Sequence, residues 1–261
     1  MPTYALLGAT GATGSAVLRS LLRQSPDKLT LNIFVRSQFK LLKTFPGLEQ
    51  TQAFHANIIE GTADDQTALQ RCLQNADVIF MCIATNDCKP GLTLAVDTVT
   101  SIIAALQHLR NNQGPSSYRA PTILQLRSTT LNKKQVAQTP WLVHELLMFC
   151  LYYVYSDLDR ACKLYEVAAK QTPGLLKYII VDPPALHNVD VTPTGHELET
   201  EKLLSTNLSY ADLGGAFCEL AQRRKEFNGM AVGVSATGPV KTDWLTLVGY
   251  MYAGVKARIL G

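Results

Sequence analysis

Three glycines with the spacing G-x-x-G-x-x-G, Gly8, Gly11 and Gly14, mark the part of the chain best suited to chemistry. They follow a short apolar run at residues 4–7 and precede a stretch with helical periodicity. At such a strand-to-helix turn each glycine has its own task. Gly8 permits the sharp turn, Gly11 lets the backbone approach a pyrophosphate, and Gly14 allows the helix to pack closely on the strand. The small residues Thr10, Ala12 and Thr13 between them leave the helix N-terminus open to an anion, which its unbonded amides and dipole favour. A tight turn that holds no ligand is the competing reading of the same glycines.

Arg36 and Ser37 come next, with Arg36 22 positions beyond Gly14 at the end of a second apolar run, 31–35. A unit that binds NAD carries an acid about 20 residues after the glycines, to hold the ribose hydroxyls. Arginine instead offers a planar fork to the 2′-phosphate of NADP, which a carboxylate would repel. The pattern therefore predicts NADP(H), with Arg36 and Ser37 at its adenosine end. A plain surface arginine after a strand is the alternative.

The elements that must position these residues follow from periodicity and punctuation. A helix is expected over 13–23, with Val17, Leu18, Leu21 and Leu22 on one side and Pro26 beyond its end. A short helix over 38–44, a third strand within 51–59, a helix capped by Asp64 or Asp65, and a fourth strand over 76–83 come after it. Pro90-Gly91 introduces a long helix to about 109, and strands at 122–126 and 178–181 flank a helical stretch, 141–170. A helix over 210–224 and a last strand over 230–234 close the pattern. Such alternation predicts an α/β protein with a Rossmann-type, doubly wound parallel sheet and helices on both faces. No repeat or linker interrupts it. One domain over 1–261 is expected, with residues after about 183 forming a small C-terminal lobe on the substrate side.

Composition narrows the function classes. Of 261 residues, 47% are apolar and 17% charged, against about 25% charged in an average soluble domain, which excludes a disordered chain. Lysine and arginine number 24 and acids 21, a net +3 too slight and too evenly spread for a nucleic-acid surface. The six cysteines show no C-x-x-C spacing and mostly lie in apolar runs, so buried reduced thiols are expected. The five histidines form no zinc-ligand pattern, and no metal is predicted. No basic leader precedes the first strand, and the longest uncharged run, 1–18, holds three glycines and three threonines. Neither a secretory signal nor a membrane span is expected, and a cytoplasmic location is.

Gly8 to Gly14, then Val35-Arg36-Ser37, then Glu60-Gly61-Thr62-Ala63-Asp64 before a helix resembles the atypical short-chain dehydrogenase/reductases. Within them the chain is most similar to the NmrA-like and flavin/biliverdin-reductase-like branch, which carries an NAD(P)H-binding domain. A strand running into Asp182-Pro183-Pro184 and the segment Tyr210-Ala211-Asp212-Leu213-Gly214-Gly215 fit that branch too. The likeness spans most of residues 3–240. It implies an oxidoreductase, with small oxidoreductases of fungal polyketide pathways as functional neighbours. It also implies that Thr62 and Ala63 pack the adenine, although the acid usual at position 62 is absent. Ala84 and Thr85, after the fourth strand, would lie along the ribose and pyrophosphate, or simply end a strand.

Reductases of this kind use a serine and a Tyr-x-x-x-Lys pair, the lysine lowering the pKa of a proton-donating tyrosine. Ser128, just after the fifth strand, suits the serine, or alternatively a turn cap. The tyrosine is where the pattern breaks. Tyr152, Tyr153 and Tyr155 are followed four residues later by Ser156, Asp157 and Asp159. The one Tyr-x-x-x-Lys, Tyr252 to Lys256, lies 124 residues beyond Ser128 and reads as coincidence. Tyr155 remains as a donor acting without lysine, or as an aromatic of a packed helix; Lys163 is two helical turns away.

A quinone, a flavin or another electron-poor acceptor needs less from a protein acid, because the cofactor carries the hydride. The expected function is therefore NADPH-dependent oxidoreduction of a small, apolar aromatic or quinone-like substrate, with the nicotinamide near Ser128 and Pro183. The oily stretch 141–152 would wall an apolar pocket, or serve as a core or homodimer helix. The apolar tail 244–260 would act as lid, dimer contact or surface helix. Two other functions fit the same residues: an NADP-sensing regulator without turnover, and an isomerase or ring-opening enzyme.

Overall fold

Continuous apolar runs become strands buried on both faces, and the chain is built on this rule. The computed structural model describes residues 1–24, 28–136, 139–187 and 192–260; Pro26, expected beyond the first helix, lies outside them. In chain order the first half holds β1 (Thr3–Leu7), α1 (Ala12–Gln24), β2 (Thr30–Val35), α2 (Gln38–Thr44), β3 (His55–Glu60), α3 (Gln66–Leu73), β4 (Val78–Met81) and α4 (Leu94–Gln113). Then come β5 (Thr122–Leu126), α5 (Lys133–Val136), α6 (Trp141–Cys150), α7 (Tyr152–Gln171) and β6 (Lys177–Asp182). The last part contains β7 (Ala185–His187), β8 (His196–Glu199), β9 (Asn207–Ser209), α8 (Tyr210–Gln222), β10 (Ala231–Ala236) and α9 (Trp244–Leu260).

The main sheet has the order β3-β2-β1-β4-β5-β6-β10-β8 and is parallel except for β8, which runs antiparallel to β10. The predicted doubly wound Rossmann-type sheet is present. Its two faces bury separate sets of side chains, as the period of two along a strand requires. Leu6, Phe80 and Leu124 face Val17, Leu18 and Phe217 of α1 and α8. Leu7, Ile79 and Ile123 face Leu69, Ile102 and Leu158 of α3, α4 and α7. Strand order reverses between β1 and β4, so a crevice opens at their C-terminal ends.

Several elements depart from expectation for identifiable reasons. The long helix starts at Leu94 rather than at Pro90-Gly91, where its first amides meet a buried partner. Asp157 of α7 accepts from Ala95 N at 2.7 Å and Val96 N at 3.1 Å, capping α4 from a neighbouring helix. The stretch expected as helical over 141–170 is two helices, divided at Leu151. The short strands β7, β8 and β9 have no apolar run to announce them; β8 reads His-Glu-Leu-Glu and survives as an edge strand. Residues after 183 do not all form a lobe. Helix α8 packs on α1 and β10 joins β6, so both belong to the layers of the sheet.

Two close contacts fix α8. A Cβ at Gly214 would run into the carbonyl oxygen of Ala16, so only glycine lets α8 lie this near α1. The buried carboxylate of Asp212 accepts from Thr194 N and Gly195 N, both at 2.8 Å, and from Ser209 Oγ at 2.6 Å. It thereby ties the turn before β8 to the first turn of α8.

Two outcomes follow from this packing. Gly214→Ala should cost about 1–3 kcal/mol through forced separation of α1 and α8, read as a lower urea midpoint with an unchanged slope. All six cysteines are free and buried. Burial pushes the Cys162 and Cys218 thiols up to about 12 and raises Cys72 and Cys82 as well. At pH 8 the thiolate is therefore scarce. Ellman's reagent should find no fast-reacting thiol in the native protein and all six after denaturation.

Candidate active site

The glycine turn has the geometry of a backbone cradle. Gly8 sits at φ +86°, in the left-handed region, and its carbonyl accepts from Gly11 N at 2.9 Å. A Cβ on Gly8 would lie 2.8 Å from the Cys82 carbonyl oxygen, and one on Gly14 would run into the carbonyl of Gly8. Gly11 differs. A Cβ there would meet only the Gly8 carbonyl, at 3.4 Å, so its outer side is open. Thr10, Gly11 and Ala12 are exposed at the start of α1, whereas Thr13 and Gly14 are buried beneath them. First-turn amides have no acceptor within their own helix, and a pyrophosphate is the right shape and charge to take them. The residues present fit a dinucleotide.

Along the rim of the crevice the other expected residues take up distinct positions. Arg36 is exposed and forms no ion pair among the described residues. Ser37 caps α2, its Oγ accepting from Lys40 N at 3.3 Å, and its own O–H remains available to donate. Glu60, at the end of the neighbouring β3, accepts from Gln38 N at 2.7 Å. Thr62 is exposed, and its side chain bonds to Asp64, holding that carboxyl below its ordinary value. Asp65, not Asp64, caps α3 by accepting from Ala68 N at 3.0 Å. Ala84 is exposed just after β4, and Thr85 Oγ1 accepts from Asp87 N at 3.0 Å.

Two strands away, at the end of β5, Ser128 and Tyr155 come together. Ser128 caps the 3₁₀ turn Thr129–Leu131 and also stands 3.5 Å from the Tyr155 hydroxyl. Thr130 Oγ1 completes the group, 3.4 Å from Ser128 Oγ and 3.3 Å from Tyr155 OH. Ser128 is thus the turn cap of one reading, and the same hydroxyl also reaches Tyr155. Tyr155 is likewise a core aromatic of α7 whose polar end reaches the site. Burial raises its pKa above the ordinary 10.0, against hydrogen bonds with Ser128, which donates to it, and Thr130, which accepts from it, so the phenol keeps its proton at neutral pH. His144 of α6 places Nε2 3.3 Å from the Thr130 carbonyl, an acceptor only, so that nitrogen carries the hydrogen. Lys163 is turned to Asp159 at 2.5 Å, and Tyr252 and Lys256 stand exposed on α9.

Beneath the hydroxyls lies a carboxylate that sequence reasoning treated only as a strand end. Asp182, fully buried, takes a two-pronged contact from Arg127, Nε to Oδ1 at 2.8 Å and Nη2 to Oδ2 at 2.7 Å. Asn132 Nδ2 donates to it at 2.8 Å, and the Ser128 backbone adds another hydrogen bond. Burial pushes the Asp182 carboxyl up, and these donors pull it back. Thr129 N also donates to the Pro183 carbonyl at 3.1 Å. Residues 127–132 are therefore strapped to the end of β6. The available signal was an acid closing an apolar strand, since a buried carboxylate must be paired. Thr130 and His144 carried no comparable signal. No three His, Cys, Asp or Glu side chains gather into a metal site among the described residues.

Comparison with known proteins agrees with this geometry. Residues 8–113 match the NAD(P)H-binding family. Averufin oxidase A of Aspergillus flavus is 49% identical over 99% of this chain and 91% of its own length. Averufin oxidase stcO of Emericella nidulans is 43% identical over 97% of this chain and 89% of its length. Among solved structures, a wide-type short-chain dehydrogenase/reductase from Veillonella parvula in complex with NADP superimposes with a TM-score of 0.63 at 19% identity. It covers 91% of this chain and 95% of its own, and it speaks for the fold alone. A backbone cradle for a dinucleotide, a matched NAD(P)H-binding segment and oxidoreductase relatives over nearly the full length converge. The chain belongs to the atypical short-chain dehydrogenase/reductases, oxidoreductases that bind a nicotinamide dinucleotide on a Rossmann-type sheet.

Proposed function

We propose that this protein, a single cytoplasmic domain, uses NADPH to act on a small, apolar aromatic or quinone-like substrate in secondary metabolism. The observation that carries the proposal is the hydroxyl cluster of Ser128, Thr130 and Tyr155 at the end of β5. It lies two strands from the glycine turn, about 10 Å across the sheet, a distance that a bound dinucleotide bridges. The nicotinamide supplies hydride chemistry when bound. Ser128 then donates a hydrogen bond that orients the substrate oxygen, and the neutral Tyr155 phenol holds the proton for it. Thr130 keeps the two hydroxyls in register. No lysine lowers the tyrosine, which suits an acceptor that needs little acid help. Averufin, named for relatives at 43–50% identity, is the first compound to try.

Arg36, with Ser37 beside it, would meet the adenosine 2′-phosphate. Glu60 is turned to the α2 backbone, and the exposed guanidinium has no competing acid partner among the described residues. Ala84 and Thr85 would line the dinucleotide, and Thr62 would border the adenine. The absent lysine also favours a second reading, dinucleotide sensing without turnover, and NADPH consumption with averufin and a panel of quinones separates the two.

Kinetics and binding test the proposal. Ser128→Ala should lower kcat/KM by about 10- to 100-fold, and Tyr155→Phe by less. An unchanged rate in both variants, with a confirmed substrate, removes the cluster from the mechanism. Because burial raises Tyr155, kcat/KM should show no falling limb from this group below its ordinary value of 10.0. By calorimetry NADPH should bind at least about tenfold tighter than NADH, less so at high salt, and Arg36→Asp should reverse the preference. Equal affinities in the unsubstituted protein would exclude the 2′-phosphate contact.

A further inference from the structure

The exposed large apolar side chains are not scattered. Most of them lie on α6, the start of α7 and α9, with Trp141 75%, Leu245 87% and Tyr252 71% exposed. Helices α6 and α9 are joined to each other: a Cβ on Gly254 would run into the Cys150 carbonyl. Arg258 fastens the same junction, its guanidinium 4.2 Å from the centre of the Tyr152 ring and 5.4 Å from that of Phe149. What remains outside is a stripe along α9. Leu245, Val248, Tyr252 and Ile259 follow one another at helical spacing on a single exposed face, and Lys256 stands in the same row. The whole of Trp244–Leu260 contains no acid, and α6 has one, Glu145.

Charge selects between the occupants of such a face. A second copy docked through these two helices would offer the exposed Lys256 and Arg258 a single acid, Glu145. A bilayer carrying anionic headgroups answers them directly, and exposed tryptophan and tyrosine settle at the headgroup level. We propose that the α6–α9 face is a peripheral docking surface for an anionic lipid bilayer, with α9 lying in the plane of the interface. Its 17 residues would span about 25 Å there. Because α6 also carries His144 against the Thr130 carbonyl, the docked face adjoins the hydroxyl cluster. On the function proposed above, an apolar substrate dissolved in lipid would then reach the site from the membrane side.

Co-sedimentation of the full chain with vesicles tests the docking without recourse to activity. Vesicles of phosphatidylcholine with phosphatidylserine should retain about tenfold more protein than phosphatidylcholine alone, and high salt should weaken the difference. Val248→Asp with Tyr252→Asp should abolish the binding, and Lys256→Glu should reduce it, with circular dichroism spectra unchanged in both. A wild-type chain that stays in the supernatant with both vesicle types overturns the proposal. So does a wild-type dimer on gel filtration that the double variant splits into monomers, which would give the face to a second copy.

Discussion

The Asp182 carboxylate, closed off from water between β5 and β6, is the constraint on which the end of the sheet depends. Burying a carboxylate is tolerable only because Arg127 grips it with two nitrogens and Asn132 and the Ser128 backbone fill the remaining directions. Removing one member of such a pair leaves the other buried and unanswered, a loss of about 3–5 kcal/mol. An apolar pair of the same volume would pack as well, but it would release residues 127–132. The ionic pair therefore contributes placement more than stability: it sets where Ser128 and Thr130 stand relative to Tyr155.

The other half of the site is placed by contacts that side chains cannot make. Gly8, Gly14 and Gly214 allow β1, α1 and α8 to approach at distances that any Cβ would forbid. Cohesion over this region comes from the apolar layer of Leu6, Val17, Leu18 and Phe217, which the strand and helix periodicities deliver to one side of the sheet. Dinucleotide cradle and hydroxyl cluster thus rest on two different devices, close backbone packing at β1 and a buried ion pair at β6, in one continuous sheet.

Much of this was legible in the residues. Strands β1, β2, β4 and β5 announce themselves as apolar runs, and the glycine spacing points to its own turn. Helix α2 was predicted with its observed bounds. Polar edge strands were not legible, because β8 is held by pairing with β10 rather than by burial. The start of α4 was missed for the same kind of reason, since its cap is Asp157, about 60 residues along the chain. In the site, Ser128 and Tyr155 were readable as types after particular elements. Their partnership with Thr130, and the dependence of all three on Asp182, is a product of tertiary contact. Local sequence carries no mark of a partner that arrives from another strand.

The double wedging of α1 has a thermodynamic meaning. Its first turn is pressed on one side by Gly14 against the Gly8 carbonyl, and the helix is held on the other by Gly214 against Ala16. The amides that would face an anion are consequently ordered before any ligand arrives. Their conformational entropy is surrendered during folding rather than during association, so binding there is not taxed by the ordering of a loose loop. The exposed rim at Arg36 lies outside this wedge, so a side chain can be exchanged there without disturbing it.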